Sequence, residues 1–288
     1  MQVEHAEHAA RKFHGEYRDE VLAAVESAIS AGEILLSGFR VKDKDERLKG
    51  ERDPVTRYDV ASEKRIKEIL GSRFPDYGFL GEEGEGMHIH SHNGHGREEH
   101  SGEKRFVWIV DPLDGTVNYS HNYPFWCVSI ALWDMARDVP LVGVIYDPTR
   151  DEIFYSARGM GAFLNENECH VSERKDLGES VVCTGFPYSD IPVREANVEN
   201  VRRVLGEVMG VRRDGAAALD LAYVACGRLD GFWEMRLHPW DLAAGVLLVE
   251  EAGGRVSGIK NGFDLWHGTV VATNGHIHER LIRLLTEP

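Results

Sequence analysis

An α+β amino-terminal half followed by a smaller α/β half is the fold class this sequence predicts, and three observations predict it. Two segments of helical period open the chain, a run of short apolar strands divided by turn signals occupies residues 106–171, and from about Asp176 strands and helices alternate. The 288 residues allow one large domain or two closely packed ones. The change of rhythm sets the division at residues 1–175 and 176–288.

The elements follow in order. Residues 17–36 carry Val21, Leu22, Val25 and Ile29 at helical spacing with charges between them, which predicts an amphipathic helix. A second helix begins near Asp59, turns Ile66, Ile69 and Leu70 to the core and ends at Gly71. Residues 77–80 make a short apolar strand, and 106–110 (FVWIV) are β-branched and apolar enough for a buried one. Further strands are predicted over 126–133, 141–146 and 152–156 and around Ala162, divided by Asp147-Pro148 and the glycines at 159–161. These make a large antiparallel sheet covered by the early helices. The second half reads as a strand over 180–184, helices over 194–209 and 216–227 and a strand over 231–234. A helix over 242–252 stops at Gly253-Gly254, and strands over 254–257 and 270–273 lead to a closing helix over 276–285. There is no internal repeat.

Composition excludes several functions. A formal charge of −15 argues against nucleic acid or an anionic membrane as main partner, since either favours a basic face. No apolar run approaches the length of a membrane span, and residues 1–14 are polar and His-rich rather than signal-like, which points to the cytoplasm. Cys127, Cys169, Cys183 and Cys226 are scattered, with no CxxC pair, and read as small buried hydrophobes. Residues 84–102 are rich in Gly, His and Glu without hydrophobic period; they read as a surface loop, and His88, His90, His92, His95 and His100 give it some capacity for metal.

The segment DPLDGT (111–116) is the most informative stretch. It sets two carboxylates, a tight turn and a hydroxyl directly behind an apolar strand, where sites form in layered α/β proteins. Pro112 fixes one backbone angle, Gly115 lets a bulky group approach, and the amides of Gly115 and Thr116 stand at a helix start suited to an anion. Taken alone, the motif serves equally well as a connector.

Other acids arrive at comparable places. Glu82 follows the strand ending at Leu80, Asp59 lies at a helix start, and Asp241 is expected at the N-cap of the helix after Trp240, where capping alone would explain it. The stretch Arg213-Asp-Gly-Ala-Ala217 precedes another helix, with Glu234 one strand later. Glu82, Asp111, Asp114 and Asp241 together supply the oxygen ligands that magnesium prefers. Two such ions about 3.5–4 Å apart hold both the attacking and the leaving oxygen of a phosphate ester.

In this order GEE, DPLDGT and WDLAAGVLLVEEAGG resemble the inositol monophosphatase family of magnesium-dependent, lithium-sensitive phosphatases. The resemblance runs from DPVTRYD at Asp53 to VVATNG at Val270, and the continuation VNYSHNYPF (117–125) is closer to the inositol branch than to its nucleotide or fructose bisphosphatase relatives. It implies the layered αβαβα sandwich of the inositol monophosphatase and fructose bisphosphatase type and two to three magnesium ions. Glu82, Asp111 and the Leu113 carbonyl would hold the first ion; Asp111, Asp114 and Asp241 the second; a third would sit near Glu82. Thr116 would orient the attacking water with Asp59 behind it, and the amides of Gly115 and Thr116 would bind phosphate. The alcohol would meet Asp114, Gly215, Ala216, Ala217, Glu234 and Asp241.

Residues 1–175 would thus carry most metal ligands, and 176–288 would add Asp241 and the substrate pocket. Two departures from the family pattern bear on substrate: the long His-rich loop after Glu82, and Ala216 where many relatives carry Ser or Thr. The reaction implied is hydrolysis of a small polyol phosphate, foremost myo-inositol 1-phosphate, by metal-activated water in a homodimer. Histidinol phosphate and fructose 1,6-bisphosphate are alternative substrates, and a regulatory relative binding protein or RNA is the alternative from another class.

Overall fold

The computed structural model describes residues 15–50, 53–84 and 104–286. The expectations for residues 1–14 and for most of the His-rich stretch therefore lie outside the described residues. Among the described residues there are seven α-helices and fourteen strands arranged as five layers. Helices α1 (Arg18–Phe39) and α2 (Arg57–Arg73) cover one face of a seven-stranded sheet. Its strands are β3 (Gly78–Gly81), β4 (Phe106–Asp114), β5 (Cys127–Asp134), β6 (Val139–Asp147), β7 (Glu152–Ala157), β8 (Ala162–Leu164) and β9 (Asn167–Cys169), hydrogen-bonded in that order. β3 is parallel to β4 and every other pair is antiparallel.

On the other face lie α5 (Ala217–Ala225) and α6 (Pro239–Glu251), which also cover a second sheet. Its five strands run in the order β11 (Gly210–Arg212), β10 (Val181–Thr184), β12 (Gly231–Glu234), β14 (Val270–Thr273) and β13 (Arg255–Ser257). Helices α4 (Ile191–Leu205) and α7 (His278–Thr286) close the far side. A short hairpin, β1 (Arg47–Gly50) with β2 (Asp53–Val55), and the single turn α3 (Thr116–Ser120) complete the list. The αβαβα sandwich is thus the observed fold.

Hydrophobic burial explains the layering. β4 to β7 are buried nearly throughout, so both faces need cover. α1 turns Val21, Val25, Ala28 and Leu35 to one face, and α6, apolar all round, fills the space between the sheets. Contact there is close: a Cβ on Gly143 of β6 would stand 2.7 Å from the Ala244 carbonyl oxygen of α6. Glycine lets that helix lie directly on the sheet.

Several predicted boundaries move. α2 starts at Arg57 behind its N-cap Thr56 and runs past Gly71, which is exposed and tolerated within the helix. β4 continues through the motif to Asp114, with a register shift between Asp111 and Asp114. α4 begins earlier, with proline in its first turn, and stops at Leu205, leaving residues 210–212 to form the unpredicted edge strand β11. The hairpin β1–β2 was also unpredicted, because β1 is polar and exposed along its length. One further expectation is corrected: α1 does reach the length and hydropathy of a membrane span, yet it packs on β5 to β7 and is mostly buried, as a core helix.

Candidate active site

Strand β4 delivers the central acids. Asp111 is buried, and its Oδ1 accepts the Leu113 N–H at 3.0 Å, so the chain turns around its own carboxylate. The register shift lets Asp114 point into the same space as Asp111. Asp114 Oδ2 accepts the Ala218 N–H at the start of α5 at 2.7 Å, and the Cys127 thiol lies 3.7 Å away. The Ser62 hydroxyl donates to the Pro112 carbonyl at 2.9 Å and pins the turn to α2. Gly115 takes φ +91°, and an added Cβ would meet the Phe125 carbonyl and the Ala216 and Trp126 side chains at 3.1–3.2 Å. A larger residue there would push the motif away from the Ala216 wall.

Asp241 arrives on α6. It is not the N-cap, as the sequence suggests, but the third helical residue: His238 is the N-cap, and Asp241 Oδ2 accepts the His238 N–H at 2.7 Å. The same box opens α2, where Asp59 accepts the Thr56 N–H at 3.0 Å and the Thr56 hydroxyl. Both acids therefore have a local structural duty, and each keeps a second oxygen for other work. The Ser129 hydroxyl bonds the Trp240 carbonyl at 3.2 Å and holds the α6 start to β5.

One oxygen each from Asp111, Asp114 and Asp241 lies within 4.8 Å of the other two. Burial, together with repulsion from Glu82 and from one another, pushes all three carboxyls well above the usual carboxylate range. The mutual repulsion of these buried acids favours a cation between them, and an all-oxygen donor set fits a hard divalent ion. The Lys49 ammonium from β1 reaches in part way, 2.7 Å from Glu82 and 2.7 Å from Glu83. Burial works against the Lys49 charge, but the two glutamates outweigh it and hold its pKa up. Behind them Glu63 accepts the Glu83 N–H at 2.7 Å.

Thr116 stands over this set. Its hydroxyl is 2.9 Å from the Leu113 carbonyl and 3.2 Å from Asp59 Oδ1. Asp59 is fully buried, which lifts its pKa to about 6 against the lowering by the Thr56 hydrogen bonds.

The pocket above has a volume of about 320 Å³, the size of a small polar ligand. It brings together Glu82, Asp111, Leu113, Asp114, Gly115, Thr116, Gly215, Ala216, Ala217, Glu234 and Asp241, every one of the predicted site residues except Asp59, which lies behind Thr116. Glu234 at the end of β12 is buried and lifted to about 8, Arg213 opposing that shift and Asp241 and Asp114 adding to it. Sequence reasoning missed Lys49, which carries no local signal, and Asn118, whose amide bonds the Phe125 carbonyl at 2.7 Å and the Asp214 carbonyl at 2.8 Å and so ties two pocket loops together. It also missed Asp220, although an acid inside the apolar run AALDLAYVA is a visible anomaly.

Comparison with known proteins places the chain in a family. The sequence model of the inositol monophosphatase family matches residues 17–287. An inositol-1-monophosphatase of Synechocystis sp. is 40% identical over 264 residues, covering 91% of this chain and 87% of its own. A protein of Xylella fastidiosa named Nus factor SuhB is 43% identical over 240 residues, covering 82% and 80%. The structure of an inositol monophosphatase from Anabaena superposes with a TM-score of 0.80 at 39% identity, covering 94% of this chain and 96% of the other. By its fold, its acidic pocket and these matches along nearly its whole length, the chain belongs to the inositol monophosphatase family and is a hydrolase of phosphate monoesters.

Proposed function

We propose that the protein hydrolyses a small polyol phosphate, myo-inositol 1-phosphate first among them, with magnesium. The observation that carries this reading is the convergence of Asp111, Asp114 and Asp241 under Thr116 in one pocket. In this reading Glu82, Asp111 and the Leu113 carbonyl would hold one ion, Asp111, Asp114 and Asp241 would hold a second, and a third would sit near Glu82. Bound there, the ions supply positive charge against the phosphate and the leaving oxygen and make water a nucleophile near neutral pH.

The chain's own residues do the rest. Thr116 accepts a hydrogen bond from the attacking water and passes its own proton toward Asp59, whose pKa near 6 suits a base at neutral pH. As the water oxygen bonds to phosphorus, the bond from phosphorus to the ester oxygen breaks, that oxygen takes a proton from a solvent water to leave as the alcohol, and Asp59 returns its proton to solvent. The amides of Gly115 and Thr116 hold the phosphate, and Asp114, Gly215, Ala216, Ala217, Glu234 and Asp241 meet the alcohol. Ala216 offers no hydroxyl, so selection among alcohols falls to Glu234 and its neighbours. Residues 1–175 would carry most ligands and 176–288 the alcohol pocket. Lithium inhibition, a homodimer and a cytoplasmic location belong to the same reading.

A panel of myo-inositol 1-phosphate, histidinol phosphate and fructose 1,6-bisphosphate with magnesium tests it by phosphate release. The inositol ester should show the highest kcat/KM; a preference for either other ester replaces the substrate but keeps the site. The name Nus factor SuhB on the Xylella relative supports a second reading, a regulatory partner role. Binding of a protein or RNA partner by a chain that turns over none of the three esters would favour it.

A further inference from the structure

A second group of ligand atoms lies beside the first, and nothing in the proposed hydrolysis uses it. The Cys183 thiol near the end of β10, the Asp214 carboxyl in the loop after β11 and the Asp220 carboxyl in the first turn of α5 each place one atom within 4.8 Å of the other two. Topology produces this: β10 and β11 run parallel with Cys183 opposite Arg212, so thiol and acid emerge at one sheet end, and α5 starts above them.

The Cys183 thiol donates to Asp214 Oδ2 over 3.9 Å, a long sulfur hydrogen bond. Two ligands on one tetrahedral ion, with metal–sulfur and metal–oxygen distances of about 2.3 Å and 2.0–2.2 Å, stand about 3.6 Å apart. The observed spacing is near that value.

Asp220 adds an independent observation. It is 2% exposed, and its Oδ1 has no hydrogen-bond partner. A buried oxygen left so is destabilising, and the rest of that helix is Ala, Leu, Val and Tyr. Burial raises the Asp214 pKa while Arg212, Arg213 and Arg150 act to lower it, whereas the charges that act on Asp220 are those of Asp214, Asp114 and Glu234. The Asp220 carboxyl faces the thiol and the second acid, with acids rather than cations as its charged neighbours.

We propose that Cys183, Asp214 and Asp220 form a second cation site, separate from the carboxylates around Asp111, for a thiophilic divalent ion of the zinc or cobalt(II) class. Sulfur selects such ions over magnesium, which prefers an all-oxygen octahedron. As the metal–sulfur bond forms, the thiol proton leaves to solvent. Three protein ligands leave one tetrahedral position open. Asp220 belongs to the wall of the same pocket with Thr184 and Gly185, so water or an alcohol oxygen there completes the shell. The two sites are coupled through the start of α5, because Ala218, two residues before Asp220, donates to Asp114. The site stands whether or not the substrate assignment above holds.

Cobalt(II) titrated into the full chain in excess magnesium tests it. Imidazoles elsewhere in the sequence also take cobalt, but only a thiolate ligand produces the near-ultraviolet sulfur-to-cobalt charge-transfer band, so the band is the readout. We expect it to saturate at one cobalt per chain, to be displaced by zinc, to vanish in Cys183→Ser and to persist in Cys226→Ser. In Asp214→Asn and Asp220→Asn the titration midpoint should rise at least tenfold. Melting curves check each variant; Asp214 is only half-buried, so Asp214→Asn serves where Cys183→Ser does not fold. No band at saturating cobalt, a band that survives Cys183→Ser, or a midpoint unchanged in both Asp variants would overturn the site.

Discussion

Replacing Asp114 with Asn should stabilise the cation-free protein and weaken its response to magnesium, an inversion that a purely structural aspartate would not produce. Asn keeps the acceptor for the Ala218 N–H and has nearly the same shape, so the change removes mainly charge. Burial first, then Asp241 and Glu82, lift the Asp114 pKa from 3.8 to about 7, opposed by the Ala218 hydrogen bond. The folded state therefore holds a proton that the unfolded chain has released, and stability falls as pH rises from about 4 to about 7. At ~1.4 kcal/mol per pH unit the full cost above pH 7 is about 4 kcal/mol at most. Asp111 and Asp241 feel the same repulsion and share any relief, which leaves about 2 kcal/mol for the substitution. For a chain of this size that is roughly 4–8 °C in Tm. Calorimetry at pH 8 in chelator should show the variant melting higher, and at pH 4 the two should coincide. Magnesium at 100 times its Kd should add ~2.7 kcal/mol to the wild type and less to the variant, in which a proposed ligand has lost its charge. A variant that melts lower than wild type in chelator at pH 8, or that gains as much from magnesium, would refute the reasoning.

Three further outcomes are expected. Asp59→Asn should lower kcat by about 10²–10⁴ without lowering stability by more than about 1 kcal/mol above pH 6, since the loss of a capping contact is set against relief of the buried charge, measured by phosphate release and thermal melting on one preparation. Between pH 6.5 and about 4 the protein should lose stability through His278, whose buried ring bonds Ser257 and Thr273 and has its pKa lowered from 6.5 to about 4, first by burial and then by Arg255. The unfolded chain takes up the proton first, so the loss grows as pH falls and levels off below about 4, up to about 3 kcal/mol; His278→Gln should flatten that part of the profile in urea titrations. Gly143→Ala should cost about 1–3 kcal/mol, because its Cβ meets the Ala244 backbone, and should raise the magnesium midpoint as α6 lifts and carries Asp241 with it.

What could be read from the sequence follows from physics. Strands β12 and β14 and the core of β4 to β7 were legible because continuous β-branched and aromatic runs mark strands buried on both faces. The DPLDGT turn was legible because Pro, Gly and the strand before it constrain one another. Long-range relations were not. That Asp241 is the third residue of a capping box rather than the cap depends on where the backbone turns at His238, which Pro239 marks only loosely. Lys49 sits on an exposed polar hairpin with no period, and its meeting with Glu82 arises only from folding. The early stop of α4 at Leu205 escaped because Val208 and Met209 continue its apolar spacing, although both lie in the bend that leads to β11.

Magnesium-dependent release of phosphate from myo-inositol 1-phosphate, wild type against Asp111→Asn, tests the assignment of this pocket most directly. The wild type should turn the ester over only when magnesium is added, and Asp111→Asn, folded by circular dichroism, should show no magnesium-dependent turnover. Turnover by the wild type in chelator, or retained in Asp111→Asn, would contradict it.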